Sequence, residues 1–505
     1  MADNAPKLGE IDLEEFRRSG HQIVDWIADY LAHPERYPVF SRSQPGEIAA
    51  RLPPSPPDKA EALELILADF EKIIVPGITH WNHPGFHAYF SVSGSGPGIL
   101  GEMLTAALNV NAMLWRTSPS ATELEEVSLA WLRQLLGIDD GWQGVITDGA
   151  SASSLLAIAA AREALDLGIR QKGMAGRPDL PRLRLYVSDQ THSSVEKGAI
   201  TLGIGQEGVR YIPSDVDFRL DVQALAQAIE EDLAAGWRPF FVTATVGTTA
   251  TTSIDPVAEI GDICRRYGLW LHVDGAYGAA AAVLPEMTHV LDGLELADSF
   301  VMNPHKWLFT PIDCSAFYVR RPELLQRAFS LVPEYLKTAE SGVTNYMDWG
   351  VQLGRRFRAL KLWMVIRAFG REGIAARLRE HIRLGQQLAG WIDEDPDFER
   401  LAPTPLSVVC FRAVPKDIRQ WLEPSGTQEA IELEAYLEWL NESILDAINA
   451  SGQAFLSPTR LRGCFTIRLA IGNIRTDEAH VRRVWELLRE TAEKNGDRGL
   501  RIGEW

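Results

Sequence analysis

From about residue 143 the chain alternates short apolar segments with amphipathic helical patterns, and this alternation limits its possible folds more than any other feature. Helical patterns cover 151–167, 221–235 and 256–267. Strands separated by such helices favour an α/β fold with a largely parallel sheet, covered on both faces, that binds ligands at the carboxyl ends of its strands. The predicted strands are 143–147, 183–188, 239–246, 269–274, 297–302 and 314–319.

Two of these strands lead into charged residues that suit a cofactor. Asp274 ends strand 269–274, and Lys306 follows strand 297–302. A lone lysine at a strand end usually reaches solvent, but burial lowers the pKa of a lysine and leaves an amine that can form a Schiff base. Pyridoxal 5'-phosphate (PLP) requires such a lysine for its aldehyde carbon and a carboxylate that keeps its ring nitrogen protonated. Asp274 and Lys306 together therefore predict a PLP enzyme.

The segments around these two residues also resemble a known family. Residues 272–277 (His-Val-Asp-Gly-Ala-Tyr) and 303–307 (Asn-Pro-His-Lys-Trp) are similar to the group II PLP-dependent amino-acid decarboxylases, in particular the aromatic-L-amino-acid decarboxylases. The resemblance extends from about residue 10 to about residue 490. It implies the PLP-dependent transferase fold (fold type I), a homodimer, and decarboxylation of tryptophan, 5-hydroxytryptophan, DOPA, tyrosine or phenylalanine to an arylalkylamine and CO2.

The resemblance assigns catalytic roles to four residues. Lys306 would hold PLP, Asp274 would pair with the ring nitrogen, and His192 would stack on the ring and approach the substrate carboxylate. Tyr335, in a polar segment at 331–350 that is expected to be a mobile loop over the site, would return a proton to the carbon that has lost CO2. Family members that form aldehydes tend to carry Phe at this position, so Tyr335 favours simple decarboxylation.

A second strand-to-helix turn is the predicted phosphate site. Residues 148–154 are small and polar, and the start of a helix offers free amides to an anion. Alone, this turn would be better interpreted as a serine-capped helix, but in a PLP protein it becomes a phosphate cradle. The resemblance assigns cofactor contacts to Ala150, Ser151, His192, Thr249, Asp274, Ala276, Asn303, His305 and Lys306.

The substrate pocket is predicted from an aromatic segment and two more distant positions. The segment 79–90 contains three histidines, but Pro84 and Gly85 interrupt the helix that a metal site with this spacing requires, so no metal is expected. Within the family, a glycine at position 354 accompanies roomy pockets that accept indoles or catechols, and a methionine at position 113 replaces the phenylalanine of the animal enzyme. The substrate residues implied by the resemblance are Tyr89, Phe90, Met113 and Gly354.

The predicted domains are an N-terminal helical arm (1–95) that forms the dimer, a large PLP-binding α/β domain (96–385) and a small C-terminal α+β domain (386–505). The arm begins with an amphipathic helix at 11–31, whose apolar face is expected to pack on a second subunit. The arginine cluster 355–358 is predicted to lie on a helix and to face solvent or a second subunit. Arg468 could form an internal salt bridge or face the substrate, and the internal role is favoured. The small domain is predicted to contain strands 406–412 and 464–470 and helices 427–450 and 476–494.

Composition excludes several classes of partner. The net charge of −18 argues against nucleic acid and against an anionic membrane surface. The four cysteines lack the spacing of a zinc site and are expected to be reduced thiols. The polar start and the lack of a long apolar window predict a cytoplasmic protein with no membrane partner.

Two alternatives remain open at this stage. One is another PLP reaction on the same scaffold, either aldehyde formation or decarboxylation of an acidic amino acid. Tyr335 argues against the first of these, and the lack of an obvious basic pocket motif argues weakly against the second. The other is a catalytically silent relative, which the presence of Lys306, Asp274, His192 and Tyr335 makes a poor explanation of the sequence.

Overall fold

The computed structural model describes residues 10–331, 340, 342–419 and 428–499. Within these residues, eleven strands form two sheets. The strands are β1 (Gln143–Thr147), β2 (Arg182–Ser188), β3 (Val209–Ile212), β4 (Trp237–Thr245), β5 (Trp270–Asp274), β6 (Ser299–Met302), β7 (Ser315–Val319), β8 (Phe398–Arg400), β9 (Val408–Ala413), β10 (Ser457–Leu461) and β11 (Cys464–Ala470).

The helices surround these sheets. They are α1 (Leu13–Ala32), α2 (Glu47–Arg51), α3 (Leu63–Asp69), α4 (Gly96–Leu108), α5 (Pro119–Leu135), α6 (Ala150–Ala164), α7 (Ile169–Lys172), α8 (Ser194–Thr201), α9 (Val222–Ala234), α10 (Val257–Tyr267), α11 (Pro304–Trp307), α12 (Pro322–Phe329), α13 (Ala359–Glu394), α14 (Lys416–Arg419), α15 (Gln428–Ser451) and α16 (Glu478–Gly499). None of the helices among the described residues is both long and apolar enough to cross a lipid bilayer.

The larger sheet confirms the predicted fold class. In the described residues its seven strands lie in the order β1-β7-β6-β5-β4-β2-β3. Strands β2 to β6 pair in parallel, and β7 runs antiparallel to both β6 and β1. All six predicted strands are present, with small differences at their ends, whereas β3 is not predicted from the sequence. The molecule therefore has the mostly parallel α/β sheet of fold type I.

The central strands β5 and β6 are buried on both faces, and their carboxyl ends fix the positions of the predicted site residues. Every residue of β5 and β6 is buried, as expected for strands covered by helices on both sides of a parallel sheet. On one side, an alanine-rich face of α6 (156–161) packs in a core cluster with β2, β4 and β7 residues. Strands β5 and β6 pair in register, with Asp274 opposite Val301, so their carboxyl ends lie side by side.

The C-terminal part contains a smaller antiparallel sheet. Its strands lie in the order β10-β11-β9-β8, and a separate apolar core joins them to α15 and α16. The helix α13 (Ala359–Glu394), kinked at Gly370 where φ is +61°, runs across the domain boundary predicted at residue 385. The division into three domains stays a prediction.

The N-terminal arm has the predicted amphipathic helix. Asp12 caps α1 by accepting backbone N–H groups from Glu14 and Glu15, at 2.9 and 3.3 Å. Several apolar side chains of the helix, including Phe16 and Ile23, are exposed in the single chain. Packing of this face against a second subunit stays a prediction.

The arginine cluster at 355–358 differs from its prediction. The helix begins only at Ala359, and the segment before it is irregular. Arg355 pairs with Glu125 at 2.6 Å, and Arg358 pairs with Asp313 at 3.0 Å. Both arginines are buried, so the prediction of solvated helical arginines is wrong for them. Specific carboxylates from distant elements compensate the cost of burying the two charges.

Candidate active site

The carboxyl ends of β5 and β6 bring the predicted lysine and aspartate together. Asp274 ends β5, is 5% exposed and accepts the backbone N–H of Ala276 at 3.0 Å. Lys306 lies in the single turn α11, which follows β6 after Asn303. Burial lowers the pKa of Lys306; the Asp274 carboxylate opposes this shift, and the Arg468 guanidinium adds to it. The amine is therefore easier to deprotonate than an ordinary lysine.

A row of four rings lies behind the lysine; three of them stack face to face, and the fourth is hydrogen-bonded to the edge of the third. The Lys306 Nζ is 5.0 Å from the centre of the Phe90 ring, which stacks on Tyr277 with 3.8 Å between centroids. Tyr277 stacks on Trp307 at 4.6 Å, and the Trp307 indole N–H donates to His381 Nδ1 at 3.0 Å. We call Phe90, Tyr277, Trp307 and His381 the aromatic column. It gives the amine a rigid, apolar wall.

A second cation lies at the same ring. The Arg468 guanidinium carbon is 4.8 Å from the centre of Phe90. Its Nε donates to Ala250 O at 3.0 Å and its Nη1 to Tyr89 O at 2.5 Å. The Nη2 is buried and has no hydrogen-bond partner within the described ranges. No carboxylate among those residues pairs with Arg468, so the favoured internal salt bridge is wrong, and one donor is free for a ligand.

The predicted phosphate turn opens a helix beside these groups. Ala150 and Ser151 form the first turn of α6, whose amides have no acceptor inside the helix. Thr147 Oγ1 lies 3.0 Å from Ser153 Oγ and fixes the turn to the end of β1. A helix start of this kind favours a bound anion through its N–H groups and its dipole.

The ring of His192 is held at the start of a neighbouring helix. Its Nδ1 lies 2.9 Å from Ser194 Oγ and accepts the Ser194 N–H at 3.2 Å. Ser194 Oγ also lies 3.4 Å from Ser154 Oγ, which joins this turn to α6. Burial lowers the pKa of His192, while Asp274 opposes the shift and Lys306 strengthens it. The imidazole is thus a neutral, oriented ring close to both charged groups.

Two further residues of the segment 303–307, His305 and Asn303, are buried next to Lys306 in the chain. The His305 Nδ1 is within 2.7 Å of Cys314 O and 3.0 Å of Cys314 N, and burial lowers its pKa to about 4. Asn303 is buried, and its side chain makes no hydrogen bond within the described residues; its Oδ1 is both buried and unpaired. An unpaired buried amide costs free energy that a bound ligand could recover.

The remaining predicted residues lie in different surroundings. Tyr89 is 54% exposed, has a φ of +53° and contacts Trp81 across 5.8 Å. Thr249 is exposed at the turn after β4. Tyr335 lies outside the described residues, so its role stays a prediction. All of these assignments to cofactor or substrate remain predictions.

Met113 and Gly354 form a separate group. Asn111 Nδ2 donates to Met113 Sδ at 3.4 Å, and a Cβ atom added at Gly354 would lie 3.8 Å from the same nitrogen. No hydrogen bond, ion pair or ring contact connects this group to Lys306 in the part of the chain that the structure describes. The structure therefore brings the two predicted pocket residues together around Asn111.

The three histidines of segment 79–90 have separate hydrogen bonds. The Nδ1 of His80 lies 3.0 Å from Tyr30 Oη, that of His83 accepts Gly85 N–H at 2.9 Å, and that of His87 lies 3.2 Å from Ala470 O. Among the described residues, no group of histidine, cysteine, aspartate and glutamate side chains could hold a metal ion.

Sequence reasoning missed His381, Asn111 and the free donor of Arg468. Each of them has a partner far away in the chain: Trp307 for His381, Arg355 for Asn111 and Tyr89 for Arg468. The local sequence around His381 reads as an ordinary helix. Only the concentration of aromatic residues near 90, 277 and 307 could have signalled the aromatic column.

The groups present fit PLP. A buried lysine and a buried carboxylate lie at adjacent strand ends, a helix start can take a phosphate, and two polar groups, on Asn303 and Arg468, lack partners among the described residues. This donor set matches the aldehyde, the ring nitrogen and the phosphate of the cofactor. Fold and site together define a fold type I PLP enzyme.

Comparison with known proteins agrees with this class. Residues 45–414 match the model of the pyridoxal-dependent decarboxylase conserved domain. The chain is 38% identical to an aromatic-L-amino-acid decarboxylase of Catharanthus roseus (96% of each chain covered) and 40% identical to a phenylacetaldehyde synthase of Arabidopsis thaliana (96% of this chain, 97% of the relative). The crystal structure of Oryza sativa TDC with PLP and tryptamine superposes with a TM-score of 0.90 at 34% identity, covering 97% of this chain and all of the other.

The chain belongs to the pyridoxal-dependent decarboxylase family. It is a PLP-dependent amino-acid decarboxylase, as the sequence predicted, and its cofactor is PLP. Its relatives are named as aromatic amino-acid decarboxylases and as aldehyde synthases.

Proposed function

We propose that the protein decarboxylates an aromatic L-amino acid, one of tryptophan, 5-hydroxytryptophan, DOPA, tyrosine and phenylalanine, to the corresponding arylalkylamine and CO2. The observation that carries this proposal is the free Nη2 of Arg468 at the Phe90 ring, close to Lys306. An unpaired guanidinium donor suits the substrate carboxylate, and an aromatic wall suits the substrate ring. The names of the relatives support the same substrate class.

The residues that would hold PLP follow from their chemistry. Lys306 would bind the aldehyde carbon, and Asp274, buried at the end of β5, would pair with the ring nitrogen. The first amides of α6, at Ala150 and Ser151, would donate to the phosphate, and so would the side-chain Nδ2 of Asn303. PLP, when bound, supplies the electron sink that accepts the electrons of the broken Cα–carboxylate bond.

The protein's own groups would orient the substrate and move the proton. Arg468 Nη2 would bind the carboxylate with a charge-assisted hydrogen bond, while Phe90, backed by Tyr277, excludes water from one side of the site. His192, kept neutral by burial, adds no competing positive charge beside Lys306. Tyr335 is the proposed donor of the proton that returns to Cα.

The test is an absorbance spectrum of the purified protein, followed by CO2 release from a panel of aromatic amino acids. We expect a band of lysine-bound PLP near the blue edge of the visible range, and Lys306→Ala should remove it. CO2 with an equivalent of amine would support the proposal. A band without CO2 from any aromatic amino acid would refute the substrate class, and a band that survives in Lys306→Ala would refute the role of Lys306.

The choice between amine and aldehyde depends on Tyr335. Replacement by Phe should divert the reaction, in the presence of dissolved O2, toward aldehyde, ammonia and hydrogen peroxide, because the proton donor to Cα is lost while its ring is kept and O2 then accepts the two electrons. Amine and aldehyde are measured separately in the same reaction. If Tyr335→Phe releases as much amine as the unchanged protein, the tyrosine is not the donor.

The proposed assembly is a homodimer in the cytoplasm. The helix α4 exposes four apolar side chains spaced along one face, and the segment before Gly354 exposes two more. Large apolar side chains exposed together on one helix face often mark a protein interface. The exposed residues are Leu100, Met103, Leu104, Leu108, Val351 and Leu353.

The dimer predicts a specific effect of a charge in this patch. Leu104→Glu should give a monomer in sedimentation velocity, because a buried carboxylate without a partner is costly. Leu233→Glu on α9 is a matched control, since Leu104 is 50% exposed and Leu233 is 48% exposed. The patch is not the interface if both variants sediment like the unchanged protein.

A further inference from the structure

One exposed side chain spans the two predicted pocket residues. Asn111 Nδ2 donates to Met113 Sδ at 3.4 Å and is the nearest atom to a Cβ placed on Gly354, at 3.8 Å. On its other side, Asn111 Oδ1 accepts the backbone N–H of Arg355 at 2.9 Å. The amide therefore fixes Met113 relative to the Gly354–Arg355 backbone.

Arg355 anchors this arrangement in the core. It is 7% exposed, and its Nη1 donates to Ala112 O at 3.2 Å. Its Nη2 donates to Glu125 Oε1 at 2.6 Å and to Ile146 O at 2.9 Å. The backbone adds a further bond, from Ala112 N to Arg355 O at 2.9 Å. A planar guanidinium with several fixed acceptors holds its position more firmly than a flexible ammonium.

These bonds connect three elements that carry predicted site residues. Ala112 directly precedes Met113, Arg355 directly follows Gly354, and Ile146 lies in β1, which leads into the phosphate turn. The carboxylate of Glu125 also accepts the Ile146 N–H at 2.8 Å. Both members of the Arg355–Glu125 ion pair are therefore bonded to the backbone of Ile146 in β1. A shift of Arg355 would move Met113 and Gly354 relative to each other.

We propose that Asn111 and Arg355 are positioning residues that set the distance between Met113 and Gly354 and thereby the size of the aromatic ring that the enzyme accepts. The proposal rests on the proposed function and on the predicted placement of Met113 and Gly354 in the substrate pocket. Selectivity between rings of different size is sensitive to small displacements, because about one methylene of pocket space is worth roughly tenfold or more in kcat/KM. Neither residue takes part in the chemistry itself.

The experiment compares kcat/KM for tryptophan with kcat/KM for phenylalanine in three variants. Asn111→Ala removes both side-chain bonds at an exposed position, and Asn111→Asp keeps the acceptor for Arg355 N–H but loses the donor to Met113. Arg355→Lys keeps the charge beside Glu125 but cannot reach all of its acceptors at once. Arg379→Lys is the matched control, because Arg379 pairs with Glu286 on the exposed surface of α13.

We expect the tryptophan-to-phenylalanine ratio to change by about fivefold in Asn111→Ala and Arg355→Lys, and by less in Asn111→Asp. The control should keep the ratio of the unchanged protein. The thermal midpoint of Asn111→Ala should stay close to that of the unchanged protein, so its altered ratio cannot come from unfolding. If Arg355→Lys folds poorly, Asn111→Ala alone tests the positioning role.

Two outcomes would overturn the assignment and are distinguishable. If the unchanged protein is active and Asn111→Ala keeps its ratio, the positioning role fails and the proposed function stands. If the unchanged protein releases CO2 from neither amino acid nor from any other aromatic one, both the proposed function and this assignment fail.

Discussion

Lys306 and Arg468 both lie beside the Phe90 ring, but their surroundings suit them to different roles. Burial lowers the pKa of Lys306, so its amine loses a proton readily. Arg468 keeps its proton at any physiological pH, and two of its donors bind the backbone carbonyls of Ala250 and Tyr89. The lysine is thus suited to covalent chemistry and the arginine to holding an anion.

The free donor of Arg468 predicts how substrate binding responds to Arg468→Lys. A lysine keeps the charge but lacks the planar fork, so it cannot bind both carbonyls and a carboxylate. We expect KM for the amino acid to rise about tenfold, because a charge-assisted hydrogen bond is worth roughly 1.5–3 kcal/mol. Inhibition by the amine product, which has no carboxylate, should change little. Equal losses for amino acid and amine would contradict the carboxylate role.

Whether the sequence could predict the role of a site residue depended on how far away its partners lie along the chain. Asp274 and Lys306 can be found from sequence because each stands at the end of an apolar strand, and parallel strands place their carboxyl ends together. Arg468 could not be assigned, because its acceptors Tyr89 and Ala250 lie hundreds of residues earlier. The same reason explains the wrong expectation for Arg355, whose partner Glu125 belongs to α5.

At the scale of elements, the aromatic column joins the lysine turn to the helix α13. Trp307 directly follows Lys306 and is fully buried between Tyr277 and His381. Burial lowers the pKa of His381 to about 4, so the ring is neutral and its Nδ1 can accept the indole N–H. This hydrogen bond therefore ties the lysine turn to a distant helix, in addition to the bonds between His305 and Cys314.

This bond predicts a loss of stability in His381→Leu. The leucine leaves the Trp307 N–H buried without an acceptor, which costs about 1–3 kcal/mol. We expect the thermal midpoint to fall, and the band of bound PLP to shift or weaken because the turn that carries Lys306 is loosened. His289→Leu, at an exposed position, is the control. A midpoint that falls no further in His381→Leu than in this control would show that the bond contributes nothing.

The strands that the sequence did not predict, β3, β8 and β10, all lie at the edges of the sheets. The central strands β5, β6 and β7 are buried along their whole length, whereas β3 lies at the edge of the sheet and alternates in burial. In the small domain β8 and β10 were not predicted, and both are edge strands of their sheet. Strand β10 contains Pro458, which a central strand would not tolerate, so its sequence resembles a loop.

At the scale of the whole molecule, several histidines are buried as neutral rings. Burial lowers the pKa to about 4 in each of them, through loss of hydration of the charged form. Three of the rings are completely or almost completely enclosed: His87, His272 and His381. Only His272 lies in a strand whose sequence predicts burial; elsewhere histidine is as common on surfaces as in interiors, so the sequence does not mark the position.

These histidines make the fold sensitive to acid. In the unfolded chain a histidine binds its proton near pH 6.5, whereas the buried rings bind theirs near pH 4. Between these values the unfolded state holds more protons, so stability rises with pH and is lost as the pH falls from about 6.5 to about 4. Each ring contributes up to about 1.4 kcal/mol per pH unit in this window.

His272→Phe tests this contribution in a single ring. The His272 ring lies 6.0 Å from Phe241 and 6.3 Å from Phe317, and its Nε2 has no partner among the described residues, so a phenyl ring suits the site. The variant loses the contact of Nδ1 with Ser299 Oγ at 2.9 Å, which lowers stability equally at all pH values. We therefore expect its thermal midpoint to be lower at pH 7.5 but to fall less steeply toward pH 4.5. His21→Phe, at an exposed position, should keep the slope of the unchanged protein. Parallel curves for His272→Phe and the unchanged protein would mean that protonation of this buried ring does not drive the acid sensitivity.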